Sequence, residues 1–239
     1  MQTDNSNLPT KSTPAEVEAF LRQVAKAPLN PKGTEPGGRL LFAMDATASR
    51  EASWDQACNI QGEMFTATNE LGGLQVKLCF YRGFRELMTS GWCNGTARLR
   101  QRMEQVRCAA GITQIDRLLC YAKREAARQR IDAMVFIGDS MEEDINQIGA
   151  SAAHLGLLGV PVFVFQEGFD QSAEQAFREI ARLTKGAYCR FDPSSAKQLG
   201  VLLGAVAAYA SGGHDALEQF GDNRGQLVSN LLCQIGKPD

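Results

Sequence analysis

The chain is poor in the residues from which many metal and catalytic motifs are built. Among 239 residues there are two histidines, His154 and His214, and the seven cysteines (58, 79, 93, 108, 120, 189 and 233) include no C-x-x-C pair. A zinc site draws on paired Cys or Cys/His spacing, so none is expected. Neither histidine stands beside a candidate nucleophile, and G-x-S-x-G, P-loop and G-x-G-x-x-G patterns are all absent. That removes the usual sequence signatures of a serine hydrolase and of a nucleotide cradle. No stretch approaches the roughly 20 apolar residues that span a bilayer. The opening Met-Gln-Thr-Asp-Asn-Ser-Asn has neither a basic region nor an apolar core, so no secretory signal is expected. With odd, widely spaced cysteines, this predicts a cytoplasmic location. Charge of one sign is also lacking: 25 basic and 27 acidic residues give a net charge of −2. Bulk electrostatics therefore point to neither nucleic acid nor a membrane surface.

What is present is an ordinary globular composition, 44% apolar and 22% charged, long enough for one well-buried domain with extensions. Residues 1–37 hold five of the eight prolines and read as an N-terminal extension ending in a linker. Within it, Thr13, Pro14 and Glu16 form a helix-start signature. Val17, Phe20, Leu21 and Val24 follow at helical spacing, which predicts an amphipathic helix over 14–27 packed on the main domain or on a partner. Residues 38–210 alternate apolar strand runs with helical patterns. Strands are expected at 39–45, 74–81, 132–138, 160–166 and 187–191, and helices at 51–70, 96–107, 114–130, 142–158, 170–184 and 194–210. Continuous apolar runs mark parallel strands buried on both faces. A short strand at 85–90 follows 74–81 without a helix and reads as an antiparallel edge. The expected fold class is therefore α/β: a doubly wound, mostly parallel, Rossmann-like sheet with helices on both faces. Residues 211–239 read as a helical tail after Ser211-Gly-Gly-His, docked on the domain or offered to a partner.

In such sheets ligands sit beyond the carboxyl ends of the strands, where the strand order reverses. Here that places the site between 39–45 and 132–138, which end in Asp45 and near Asp139. Asp45-Ala-Thr-Ala-Ser49 sets two hydroxyls two and four residues after a carboxylate. Oxygen donors with few carboxylates suit a hard divalent cation that keeps water in part of its coordination sphere. Thr113, after Cys108-Ala-Ala-Gly-Ile112, opens the helical stretch 114–130 and also reads as its N-cap. Gly138-Asp139 is followed by Glu142-Glu143-Asp144, which reads as an acidic helix N-terminus.

The order D-x-T-x-S, then Thr, then Asp, at three successive strand-to-helix junctions resembles the von Willebrand factor type A (VWA) family, in its intracellular bacterial form, with its metal-ion-dependent adhesion site (MIDAS). The resemblance covers about residues 38–210. It implies a metal held by Asp45, Thr47, Ser49, Thr113 and Asp139, with Thr47 in place of the usual serine and Gly-Asp-Ser in place of T-D-G. The implied ion is Mg²⁺, with Mn²⁺ or Ca²⁺ as alternatives. The implied function is protein–protein interaction, a partner's Asp or Glu completing the metal's coordination, alone or as a subunit of a larger assembly such as an ATPase complex. Nucleic acid and membrane are not expected as partners, and no catalytic residue or organic cofactor is expected.

A second reading is enzymatic. Gly138-Asp139-Ser-Met-Glu-Glu-Asp144 resembles the last acidic motif of haloacid-dehalogenase-type, Mg²⁺-dependent phosphohydrolases or phosphoryl transferases, in which Asp45 would be the nucleophile. The general acid of that family would fall at Thr47, whose hydroxyl cannot deliver a proton as a carboxylic acid does. The only lysine available to balance phosphate charge is Lys123. Two tryptophans remain: Trp54, soon after the first motif, and Trp92, set among Ser, Gly and Asn as a candidate exposed anchor. Nine Lys or Arg against three acids between 98 and 130 read as solvated helix faces.

Overall fold

The computed structural model describes residues 12–28, 37–51, 74–94, 96–191 and 196–235. The helix expected at 51–70, and Trp54 with it, lies outside the described residues beyond Glu51.

Helix α1 (Pro14–Lys26) begins with the expected capping box: the Thr13 hydroxyl accepts from Glu16 N at 3.3 Å, and Thr13 N donates to the Glu16 carboxylate at 2.7 Å. Its apolar stripe faces the main domain, with Val17, Phe20 and Val24 buried. The Phe20 ring sits 5.2 Å from Phe165 and 6.1 Å from Phe163. Thr13→Ala is expected to cost about 1 kcal/mol, read as a fall in melting temperature of about 2–4 °C; an unchanged midpoint would mean the cap adds nothing.

The remaining elements are β1 (Gly38–Asp45), β2 (Leu74–Arg82), β3 (Glu86–Thr89), β4 (Cys93–Asn94), α2 (Thr96–Glu104), α3 (Ile115–Arg128), β5 (Ala133–Gly138), α4 (Ile145–Leu157), β6 (Val162–Glu167), α5 (Gln171–Thr184), β7 (Tyr188–Phe191) and α6 (Ala196–Ile235). The sheet order is β3-β2-β1-β5-β6-β7, with β4 also on β2. The strands β2, β1, β5, β6 and β7 run parallel, whereas β3 and β4 pair antiparallel with β2. The edge strand is thus in two pieces, and its register against β2 slips by one residue between them. Such a bulge discourages further pairing at an open edge.

Side chains alternate across the central strands into two cores. Leu40, Phe42, Met44, Val135, Ile137, Phe163 and Phe165 face α1 and α6. Leu41, Ala43, Met134, Phe136, Val162 and Val164 face α3, α4 and α5. This is the doubly wound α/β arrangement expected from the apolar runs. Cys79 and Cys189 are small buried members of these cores, and burial pushes both thiols up, Cys189 to about 12.

The last core helix breaks within Ser211-Gly-Gly-His, where the sequence placed the start of the tail. Gly213 (φ 72°, ψ −146°) leaves helical geometry, and two helical stretches meet there at a kink, the second running on to Ile235. After the break, Phe220 returns to pack with Ala205 and Ala208, with Leu21 of α1 alongside. No helix among the described residues is long and apolar enough to cross a membrane.

Candidate metal centre

The path from β1 to β2 moves one way across the sheet, and β5, β6 and β7 extend the other way. The crevice between β1 and β5 is therefore the switch point. Asp45 ends β1 and is fully buried. Both of its oxygens are held: Oδ1 accepts from Thr47 N at 2.7 Å, and Oδ2 accepts from the Tyr81 hydroxyl at 2.9 Å. Burial raises its carboxyl above the ordinary range. The Thr47 hydrogen bonds oppose the rise, and the negative charge of Asp139 adds to it. Two residues on, the Thr47 and Ser49 hydroxyls lie 3.0 Å apart, with Thr47 buried and Ser49 exposed.

The segment 108–114 packs beside this turn. Ala109 N donates to Ala46 O at 3.1 Å, and Thr47 bridges to Ala109. Thr113 is buried and tied twice to the loop after β5: its amide donates to Glu142 at 3.2 Å, and its hydroxyl accepts from Glu142 N at 3.0 Å. Asp139, half-buried, opens that loop directly after β5. The structure thus gathers the loops carrying Asp45, Thr47, Ser49, Thr113 and Asp139 at one end of the sheet. Direct hydrogen bonds join the first three, while Thr113 reaches Asp139's loop through Glu142.

Several assignments change. Thr113 is not the N-cap of α3; Gln114 occupies that position and makes no side-chain cap. The capping is done from a distance by Glu143, whose carboxylate accepts from Ile115 N and from Asp116 N. Glu142 and Glu143 accordingly do not open the following helix, as their order suggested; α4 starts at Ile145 with Asp144 as its N-cap. Arg50, which the sequence did not single out, is 1% exposed and forms an ion pair with Glu167 at the end of β6. Burial pushes its guanidinium below the usual range, and the charges of Asp139 and Asp45 oppose that shift. Trp92 is not an exposed anchor. It packs against the core, and its indole donates to Glu125 at 3.2 Å, with Lys77 over the ring. Tyr81, the partner of Asp45, escaped notice in the sequence because it continues the apolar run of β2.

The donor chemistry suits a hard cation. It consists of two carboxylates and three hydroxyls, all oxygen.

No protein-family profile matches the chain, and no curated protein sequence matches it. Solved structures do. The SpRpn10 VWA domain superposes with a TM-score of 0.56 at 10% identity, covering 70% of this chain and 94% of that one. Proximal thread matrix protein 1 from the mussel byssus, with a zinc-occupied MIDAS motif, gives 0.55 at 15% identity over 72% of this chain and 45% of that one. The minor pilin PilB from Streptococcus sanguinis gives 0.53 at 11% identity over 87% and 65%. The match thus spans less than half of the thread matrix protein. By superposition, the chain has the α/β fold of von Willebrand factor type A domains.

Proposed function

We propose that this protein is a metal-dependent protein-interaction module. A divalent cation, Mg²⁺ in the first place, would be held by Asp45, Thr47, Ser49, Thr113 and Asp139, and a carboxylate of a partner protein would complete its coordination. The observation that carries this is the buried Asp45 carboxylate beside Asp139 at the switch point, with the Thr47 and Ser49 hydroxyls next to it. Arg50 pairs with Glu167 and also faces the charges of both aspartates, and a bound cation would add to that balance. A fold neighbour with a metal-occupied MIDAS motif supports the same reading. A bound ion would supply positive charge for a partner's carboxylate; Asp45, Thr47 and Thr113 would hold it from the buried side, with Ser49 and Asp139 nearer the solvent.

The phosphohydrolase reading loses ground. Lys123, its only candidate to balance phosphate charge, lies two turns into α3 and donates to Ser151 of α4 at 3.4 Å. Thr47, where the acid would stand, spends its hydroxyl on Ser49.

Titration with Mn²⁺, followed by water-proton relaxation, tests the proposal because it senses both the ion and the water it keeps. Relaxivity is expected to rise on binding, saturating at one site per chain, and to fall when a Glu-rich peptide displaces the water. Thr113→Ala removes both the proposed donor and the acceptor for Glu142 N, and is expected to weaken the ion by about tenfold, whereas Thr113→Ser should restore most of it. No saturable Mn²⁺ binding in the millimolar range would end the reading.

A further inference from the structure

The turn between β2 and β3 stands next to the proposed metal loops and is built to expose an aromatic side chain. Arg82 pairs with Glu86, which leaves Gly83-Phe84-Arg85 as the loop. Gly83 (φ 57°) and Arg85 (φ 71°) are both left-handed. For Arg85, which has a Cβ, that conformation is disfavoured. The result is Phe84 at the apex, 75% exposed.

The turn is fastened to the segment that leads into Thr113. Gly83 O accepts from Ile112 N at 3.4 Å and from Gln114 Nε2 at 3.2 Å, and Gln114 Nε2 also reaches Arg82 O at 3.1 Å. Arg117 donates to Arg85 O, and Arg82 donates to Arg107 O at 2.8 Å. These bonds bring a second exposed apolar side chain, Ile112 at 47%, to the same surface. They also collect four arginines: Arg85, Arg107 and Arg117, all exposed, and Arg82, half-exposed. Within 82–85 and 107–117 the one acid is Asp116, whose carboxylate accepts from the Ser151 hydroxyl at 2.6 Å; Glu86, just beyond, is paired with Arg82. A protein with net charge −2 therefore carries a concentrated basic and apolar patch. It is continuous with the metal loops through Tyr81–Arg82 on one side and Ile112–Thr113 on the other.

We propose that this patch, Phe84 and Ile112 ringed by Arg82, Arg85, Arg107 and Arg117, docks an acidic segment of a partner protein that carries an aromatic or aliphatic anchor among its carboxylates. Charge complementarity selects the acids, and the two exposed apolar groups select the anchor. Arginines are suited to gripping carboxylates in pairs. The inference extends the metal-dependent reading, because the ion and the arginines call for the same chemistry on the partner. It stands on separate residues, and so can fail or hold separately.

The test is selection of random peptides displayed on phage against the intact protein in Mn²⁺, followed by fluorescence anisotropy with the recovered sequence and its lysine-reversed counterpart. Acid-rich peptides with an aromatic or large aliphatic residue are expected, with no binding of the reversed one. Phe84→Ser and Arg85→Gly are each expected to weaken the recovered peptide by about tenfold. Arg85→Gly suits the left-handed turn, so a folding defect is not its expected effect. Enrichment of neutral or basic peptides, no enrichment, or tighter binding of anionic phosphatidylserine vesicles or a single-stranded oligonucleotide would overturn the proposal. Binding lost in chelator but untouched by both variants overturns the patch and leaves the metal reading. Binding lost in the variants but untouched by chelator upholds the patch as a site independent of the ion and leaves the metal reading to the Mn²⁺ titration.

Discussion

Asp45→Asn is expected to abolish divalent-cation binding and, in the same protein, to raise the melting temperature of the metal-free fold. The reason is that Asp45 carries its charge in a fully buried position beside Asp139, which holds its carboxyl above the ordinary range. A folded-state carboxyl raised above its unfolded value opposes folding when ionised. The penalty is complete above the raised folded value, shrinks as pH falls through it, and is gone below the unfolded value. Asparagine keeps the shape, still accepts from Thr47 N through its oxygen, and can donate to the Tyr81 hydroxyl. In chelator at neutral pH the variant should therefore melt higher, by about 2–4 °C for each kcal/mol of relief. The gap should close as pH falls toward the carboxylate range, and saturating Mg²⁺ should reverse the order by stabilising only the wild type. Asp45→Ala is a poorer probe. It strands the Thr47 amide and the Tyr81 hydroxyl, at about 1–3 kcal/mol for each buried donor. Thermal melts across pH, with and without chelator, decide the matter; an asparagine variant less stable than wild type in chelator would refute the electrostatic argument.

Gly111→Ala is the second large effect. A Cβ at Gly111 would lie 2.1 Å from the carbonyl oxygen of Gly83 and 2.5 Å from its Cα. Both are backbone atoms, so no rotamer change relieves the clash and the two segments must separate. That breaks the Ile112-to-Gly83 bond and the Gln114 clamp, and moves the neighbouring Thr113 away from Glu142. A loss of about 1–3 kcal/mol is expected from overpacking, with metal affinity falling by about tenfold or more. Gly91→Ala is the control: nothing lies within 4 Å of the added carbon, and neither stability nor metal binding should change. Calorimetry and amide exchange at Ile112 would measure both. A Gly111→Ala protein with wild-type exchange at Ile112 would show that the segments are not in contact in solution.

Much of this architecture was legible because parallel strands buried on both faces leave long apolar runs, and β1, β5 and β6 are such runs. The placement of Asp45 and Asp139 followed from the same pattern, since Asp45 ends one run and Asp139 follows another across the switch point. What could not be read were contacts between residues far apart in sequence. Glu143 capping α3 and Arg50 reaching Glu167 obey no periodicity. Local context misled for the same reason: Gly, Ser and Asn around Trp92 suggest a loop tip, yet Glu125 and Lys77 from other elements enclose the ring. The left-handed Arg85 was equally hidden, because nothing in its neighbours requires that conformation.

The Glu143 cap has a consequence for ligand choice. In doubly wound sheets the free amides at a helix N-terminus beside the crevice are a common seat for phosphate. Here the first amides of α3 are already taken by a carboxylate of the chain itself. An incoming phosphate would have to evict Glu143 and would meet its negative charge on the way. At α3, the protein has filled its own anion seat with a carboxylate of its own chain, so a phosphate finds no free amides there.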